Sequence, residues 1–364
     1  MVGAGIAGLS VAAELARTRR VVVLEACDAP ATQSTGRSAA VYIERYGGPA
    51  FIPFNRAGRA WFASRADGES DHALLAPRGL LSVAPPGTEL RLPADPELDA
   101  RIVGPEEARS LFPALRPEAT GSALHVPGTA DLDPAGAVAV YRRLLRARGG
   151  TLVTSAPAER LVPADGTWTV TTPVGGWVAP LVVNAAGAWA DVVAERAGLP
   201  PLGSLPLRRT IATLVAPRTE GADRWPLLED TAETFYLKPE TGRILASPAD
   251  ETPDVPRDVR PEMLDVAGAL DRVAAMTTLD VRVVTSSWAG LRTFAPDRAP
   301  VLGPDPLAPG FAWYAGQGGC GIQIAPAAAR AVVALVETGD LPEDIRALGG
   351  SAAHVRPDRL RRAG

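Results

Sequence analysis

The stretch Met1-Val2-Gly3-Ala4-Gly5-Ile6-Ala7-Gly8, running into apolar residues 9–15 and then into Val21-Val22-Val23-Leu24-Glu25, decides the fold. Gly3, Gly5 and Gly8 carry the spacing of a dinucleotide fingerprint. Gly3 permits a tight turn, Gly5 lets backbone approach a pyrophosphate, and Gly8 allows a helix to pack closely on a sheet. The helix opening at Ile6 and Ala7 would turn free N–H groups and the positive end of its dipole toward the phosphates. The apolar run 21–24 is of the kind buried in a parallel sheet. Glu25 follows at about the separation at which an acid binds ribose hydroxyls, and it would repel a 2′-phosphate. A glutamate that merely ends a strand at the surface is the alternative. A first strand should precede Gly3, yet only Met1 and Val2 of it stand here. A start assigned too late or a shortened chain would account for that.

Composition narrows the rest. The chain has 364 residues, 46% hydrophobic and 21% charged, which is globular and of roughly two domains. A net charge of −4 argues against a nucleic-acid surface and leaves no polybasic membrane patch. Lys238 is the single lysine among many arginines. Cys27 and Cys320 lie far apart in unlike settings, which suggests a reducing compartment and no disulfide framework. No apolar run reaches bilayer length, and the glycine motif at the very start leaves no signal peptide, so the cytoplasm is expected. His72, His125 and His354 form no catalytic or metal cluster, and no metal is expected.

Along the chain, residues 50–129 are rich in Pro, Gly and charge, with short apolar pieces such as 80–83. Residues 134–148 have helical periodicity. Residues 151–153, 168–170 and 181–183 read as strands, the last ending in Asn184-Ala185-Ala186-Gly187. Residues 207–291 alternate in the strand manner at 210–214, 234–237 and 281–284. Near the end, 310–315 is a strand, Gly316-Gln317-Gly318-Gly319-Cys320-Gly321 a loop, and 322–337 a helix. Residues 354–364 read as a basic, solvated tail. Between these elements Gln33-Ser34-Thr35-Gly36-Arg37-Ser38-Ala39-Ala40 is small and polar. Gly36 there is free to take positive φ, the hydroxyls and N–H groups can donate, and Arg37 is a further phosphate partner. An ordinary turn is the alternative.

The fingerprint, residues 34–40, Asn184-Ala185-Ala186-Gly187-Ala188-Trp189 and the loop 316–321 together resemble FAD enzymes of the D-amino acid oxidase superfamily, which includes glycine and sarcosine oxidases. Phe235-Tyr236-Leu237-Lys238-Pro239, Trp288-Ala289-Gly290-Leu291-Arg292 and Gln317-Gly318-Gly319 with Gly321-Ile322-Gln323 look most like the bacterial FAD-dependent D-arginine dehydrogenase branch. The resemblance covers essentially the whole chain. It implies an α/β fold: a Rossmann-type FAD domain from residues 1–48, 130–202 and 288–364, plus an α+β substrate domain with a mainly antiparallel sheet from residues 49–129 and 203–287. FAD would be held without a covalent link by the fingerprint, Glu25, Ser34 to Ser38, Ala158, Ala186, Gly187, Trp189, Gly290, Gly318, Gly319, Cys320, Gly321, Ile322 and Gln323. The helix that begins near Cys320 would point its N-terminus at the flavin, where reduced flavin gathers negative charge. Cys320 itself sits where that branch carries an aromatic, and a small loop residue suits it better than a covalent attachment.

On the substrate side the resemblance implies Arg292 and Arg209 as carboxylate anchors, with Tyr236 on the same carboxylate, Tyr46 closing the pocket and Gln323 as a further catalytic residue. A bidentate guanidinium suits a planar carboxylate. A structural ion pair is the alternative for either arginine, and a core or loop aromatic for Tyr46. With orientation fixed, a neutral amine can lose its Cα hydride to flavin N5 without further acid–base machinery. Two departures stand out. Leu80 falls where arginine-preferring relatives place a glutamate, and Val41 and Ile43 fall where they place a histidine and a threonine. A leucine cannot pair with a guanidinium. An apolar or small D-amino acid, or a cyclic or N-alkylated one, is therefore expected rather than D-arginine. The expected reaction gives an imino acid, then a 2-oxo acid and ammonia. A secondary-amine oxidase of sarcosine or proline type, and an FAD-binding redox protein without turnover, are the other readings. The expected partners are an amino-acid substrate and an electron acceptor (oxygen, a quinone or an electron-transfer protein), with no nucleic acid and no transmembrane segment.

Overall fold

Val2 stands between two parallel strands, bridging Leu24 of Val22–Leu24 and Asn184 of Val182–Asn184. Its amide donates to the Val183 carbonyl at 3.0 Å, its carbonyl accepts from Ala185 at 2.9 Å, and Leu24 donates to Met1 at 2.9 Å. Two residues thus perform the hydrogen bonding of the first strand. In this computed structural model, which describes residues 1–64, 70, 72–95, 98–215 and 221–361, the sheet runs Thr151–Val153, Val22–Leu24, Met1-Val2, Val182–Asn184, Phe311–Ala315, Val301–Pro304. All neighbours are parallel except the last pair.

Helices Ile6–Leu15, Pro134–Ala147 and Gly321–Glu337 pack together over this sheet. Ile6–Leu15 is apolar on every side and buries all its residues except Glu14, as a helix enclosed by neighbours must. Pro134 opens its helix with a preset φ, and the Asp133 side chain caps it by accepting from the Gly136 amide at 3.0 Å. A further helix, Ile52–Ser64, packs on Gly321–Glu337 and buries Phe54 and Phe62 in the same core. The resemblance would place that segment with the large antiparallel sheet; its apolar face packs instead in the core over the parallel sheet.

The second body is a nine-stranded sheet, ordered Thr252–Pro253, Leu205–Val215, Arg243–Ser247, Tyr236–Glu240, Leu227–Asp230, Leu80–Val83, Ala123–Val126, Arg101–Val103, with Val284–Phe294 also on Leu205–Val215. Every pair is antiparallel except Leu80–Val83 with Leu227–Asp230. Three expectations change here. The strand expected over 281–284 begins only at Val284, and that expected over 234–237 begins at Tyr236. Within 207–291 the segment Met263–Met276 is a helix, burying Val266, Ala269 and Val273 at i, i+3 and i+7. Nor are residues 354–361 a solvated tail: the Val355 side chain is buried and its carbonyl accepts from Leu302, while Arg361 pairs with buried Asp305 at 2.9 Å; residues 362–364 lie outside the described residues. Both cysteines are free thiols. No helix among the described residues is long and apolar enough to cross a membrane.

Candidate active site

An elongated cleft starts at the glycine turn and ends in a cavity of about 720 Å³ against the large sheet. Ala39, Arg209, Arg292, Gln317 and Gly319 line both parts, so the two are continuous.

At the first end the backbone leaves room that side chains would fill. Gly3 has φ +96°, and a Cβ there would lie 2.5 Å from the Ala185 carbonyl oxygen. A Cβ on Gly8 would lie 1.9 Å from the Gly3 oxygen, so Gly8 serves packing and does not line the cleft. A Cβ on Gly5 would meet only Thr35 Oγ1 at 3.3 Å, which leaves that amide open to an approaching group. Glu25 accepts the Ala4 amide at 2.6 Å and the Cys27 amide at 2.9 Å, one on each carboxylate oxygen, and lines the cleft. Two backbone donors hold the carboxylate rigid while its remaining lone pairs stay available for hydroxyls. Ile6, Ala7, Ser34, Thr35, Ser38, Ala158, Ala186, Gly187, Trp189, Gly290, Gly318, Gly319, Gly321 and Ile322 also line this part. The Gly321–Glu337 helix begins there, and its first amides have no intrahelical acceptor.

Three expectations about the loop 33–40 and its neighbours are corrected. Gly36 does not take positive φ; it lies in a turn of 3₁₀ helix, where a Cβ would run into the Ala31 carbonyl at 2.5 Å. Arg37 lines the cleft, as expected, but its guanidinium offers no free fork to a phosphate. Its guanidinium donates to the carbonyls of Thr32, Val259 and Ala289 and pairs with Asp258. With Ser34 Oγ donating to the Leu291 carbonyl at 2.6 Å, it ties the loop to the strand that carries Arg292. Gln323 does not line the cleft. Its amide accepts from the Ile43 N–H at 3.1 Å and donates to the Ile43 carbonyl at 3.2 Å and to Asn55 Oδ1 at 2.8 Å. It is a clamp on the strand Val41–Tyr42 and the loop that follows. Gln323→Leu leaves the Ile43 N–H and Asn55 Oδ1 without partners, while the Ile43 carbonyl still accepts from Tyr46; each lost partner costs about 1–3 kcal/mol. The expected outcome is a lower urea midpoint together with a raised KM, read by denaturation and steady-state kinetics.

In the larger cavity the guanidiniums stand on paired strands, Arg209 opposite Gly290 and Arg292 opposite Leu207. The neighbouring Arg208 pairs with Glu262 at 2.6 Å and Asp265 at 3.1 Å and does not line the cavity, whereas Arg209 does. Arg209 donates to the Asp250 carbonyl at 2.7 Å and sits 3.4 Å from Glu251, which Arg298 shares at 2.8 Å. Burial, and then the charge of Arg292, push the Arg209 pKa down from its ordinary value. Arg292 donates to the Tyr46 hydroxyl at 2.8 Å and pairs with no carboxylate among the described residues. Gly319 makes this contact possible, since a Cβ there would lie 2.7 Å from the Tyr46 ring and 3.0 Å from Arg292. The Tyr236 hydroxyl is buried and has no hydrogen-bond partner. Cys320 lines this end, its thiol 3.5 Å from the Tyr46 carbonyl and pushed up to about 12 by burial, which keeps it protonated.

Val41 and Ile43 line the cavity as expected, but Leu80 does not; it packs behind them with Val126 and Leu227. The wall nearest that strand carries Glu229 and Glu233 instead. The expectation against D-arginine considered position 80 alone, whereas the cavity carries acids at other positions. The signal was present in Leu227-Leu228-Glu229-Asp230, where alternation puts Glu229 on the same face as buried Leu227.

The family model described as "DAO: FAD dependent oxidoreductase" matches residues 1–335. Dimethylglycine dehydrogenase of Mus musculus is 29% identical over 227 residues, 56% of this chain and 26% of that protein. Sarcosine dehydrogenase of Homo sapiens is 26% identical over 260 residues, 63% of this chain and 27% of that protein. The chain thus spans about a quarter of the length of these mitochondrial relatives. Glycine oxidase of Geobacillus kaustophilus is 27% identical over 66% of this chain and 62% of the entire relative. Among solved structures, that glycine oxidase has a TM-score of 0.79 at 24% identity, covering 92% of this chain and 93% of the other. L-proline dehydrogenase from P. horikoshii has a TM-score of 0.83 at 19% identity, covering 99% and 96%. The FAD-bound L-α-glycerophosphate oxidase of Mycoplasma pneumoniae has a TM-score of 0.78 at 17% identity, covering 92% and 93%.

Proposed function

Because the chain belongs to the DAO family of FAD-dependent oxidoreductases, we propose that it oxidises the carbon–nitrogen bond of a small carboxylate-bearing amine to an imine, which water then hydrolyses. Bound FAD supplies a two-electron acceptor for the hydride lost from carbon. The residues that would hold it are those of the glycine turn, Glu25 and the first turn of Gly321–Glu337. The two-domain division, with the cofactor on the parallel sheet and the substrate under the large one, is part of this proposal.

The observation that carries the reading is Arg292, a desolvated guanidinium that donates to the Tyr46 hydroxyl and pairs with no carboxylate among the described residues. Such a charge is expensive unless an anion completes it. A ligand carboxylate can take the fork of Arg292 bidentately, with Arg209 alongside. Tyr46 accepts from Arg292, so its own proton is free to donate, and the unpartnered Tyr236 hydroxyl can donate as well. These contacts hold one end of the substrate and leave the reacting carbon a single orientation, which is where most of such a rate enhancement arises.

Primary D-amino acids and N-alkylated amines both fit these anchors, and the names of the sarcosine and dimethylglycine relatives favour the second. Product analysis with an artificial electron acceptor separates them. A D-amino acid yields ammonia and a 2-oxo acid, N-methylglycine yields glycine and formaldehyde, and proline yields a cyclic imine. Absence of all these products with every carboxylated amine tried would sink the proposal.

A further inference from the structure

The cavity has a second charged wall that the carboxylate anchors do not use. Glu229 lies on the strand Leu227–Asp230, directly opposite Tyr236 in the antiparallel register and beside Ser82 in the parallel one. Directly opposed residues put their side chains on one face about 5 Å apart. Glu229 and the Tyr236 ring thus face the cavity together, and both line it. Glu233, in the turn before Tyr236, adds a second acid at the exposed rim. No basic side chain pairs with Glu229 or Glu233 among the described residues, although Arg45, Arg209, Arg292 and Arg298 line the same cavity. Those arginines are drawn to Asp95, Glu251 and the tyrosines instead.

We propose that Glu229 receives the substrate's nitrogen, making the cavity a receptor for zwitterions: guanidiniums at one end for the carboxylate, a carboxylate at the other for an ammonium or alkylammonium. The assignment rests on the amine-oxidising reading above and deepens it. The same fold serves an oxidase of a hydroxyl compound, and a hydroxyl brings no positive charge to offset a buried acid. Glu229 therefore selects amines against their hydroxy and ether isosteres. Burial, and then Glu233, push the Glu229 carboxyl up to about 8, with the Ser82 hydroxyl opposing. In the free protein the acid thus keeps its proton much of the time, and an arriving cation is what makes the ionised form favourable.

The test is ligand binding to the flavin-loaded protein, followed by the flavin absorption spectrum without oxygen, using paired probes. The pairs are D-alanine with D-lactate, N-methylglycine with methoxyacetate, and L-proline with tetrahydrofuran-2-carboxylate. Glu229→Gln has the shape of the protonated acid, and Glu233→Gln serves as the rim comparison. Glu229→Gln should weaken the amines about 10- to 100-fold, the range for a charged hydrogen bond, and leave the isosteres within about twofold. Equal weakening within each pair, or none, would overturn the assignment while leaving the anchors intact. If no carboxylate of either kind perturbs the wild-type flavin, the anchor reading itself fails and takes this assignment with it.

Discussion

Arg292→Lys is expected to lower kcat/KM for every carboxylated amine by about 100- to 1000-fold, with flavin content unchanged. Lysine keeps the charge but loses the planar fork, so one of two parallel hydrogen bonds to a carboxylate disappears and the other is held less rigidly. It would also lose the 2.8 Å contact that sets the Tyr46 hydroxyl. Truncating a partner of a desolvated charge pair costs about 2–5 kcal/mol, which places the effect in that range. Arg292→Met should be more severe still in turnover, yet it removes an uncompensated charge, so the melting temperature should hold or rise. The two readouts move in opposite directions only if Arg292 serves the ligand rather than the fold. A kcat/KM within threefold of wild type in Arg292→Lys would end the anchor assignment.

The second large effect separates two glycines that look alike in sequence. Gly8→Val places carbon where the Gly3 carbonyl oxygen already lies, 1.9 Å away, and neither backbone can move without opening the helix from the sheet. Strain of this kind exceeds about 4 kcal/mol, most of a domain's stability, so Gly8→Val should be insoluble or unfolded. Gly5→Ala meets only a hydroxyl at 3.3 Å. It should fold with a melting temperature within a few degrees of wild type but hold FAD about 10- to 100-fold more weakly, because the methyl stands where backbone meets pyrophosphate. Thermal melts and the ratio of flavin to protein absorbance decide both. A flavin-saturated, stable Gly8→Val, or a Gly5→Ala that binds FAD as the wild type does, would refute the division of labour between turn, contact and packing.

How much of this was legible in advance depends on whether a residue acts locally or across the fold. The glycine turn and Glu25 are local: spacing along one strand–turn–helix unit states their geometry, and the structure puts each within that unit. Positions whose partners are distant in sequence were misread. Arg37 carries the right charge for a phosphate, but Val259, Ala289 and Asp258 claim it from more than 220 residues away. Gln323 lies one residue past the cleft lining and turns inward to Ile43 and Asn55. The helix Ile52–Ser64 hid in a Pro- and Gly-rich stretch although Phe51, Phe54, Asn55, Gly58 and Phe62 form a buried stripe at helical spacing. Glu229 escaped because Leu80 was compared with its own position only, whereas a parallel strand pair lets the neighbour supply the wall.

The most direct test of the account is an anaerobic one on the purified flavoprotein: its visible spectrum, recorded while N-methylglycine, L-proline and a series of D-amino acids are added in turn. The account predicts that at least one of them bleaches the oxidised flavin band, and that the same compound leaves Arg292→Met oxidised. Bleaching by an amine that carries no carboxylate, with every carboxylated amine inert, would contradict it.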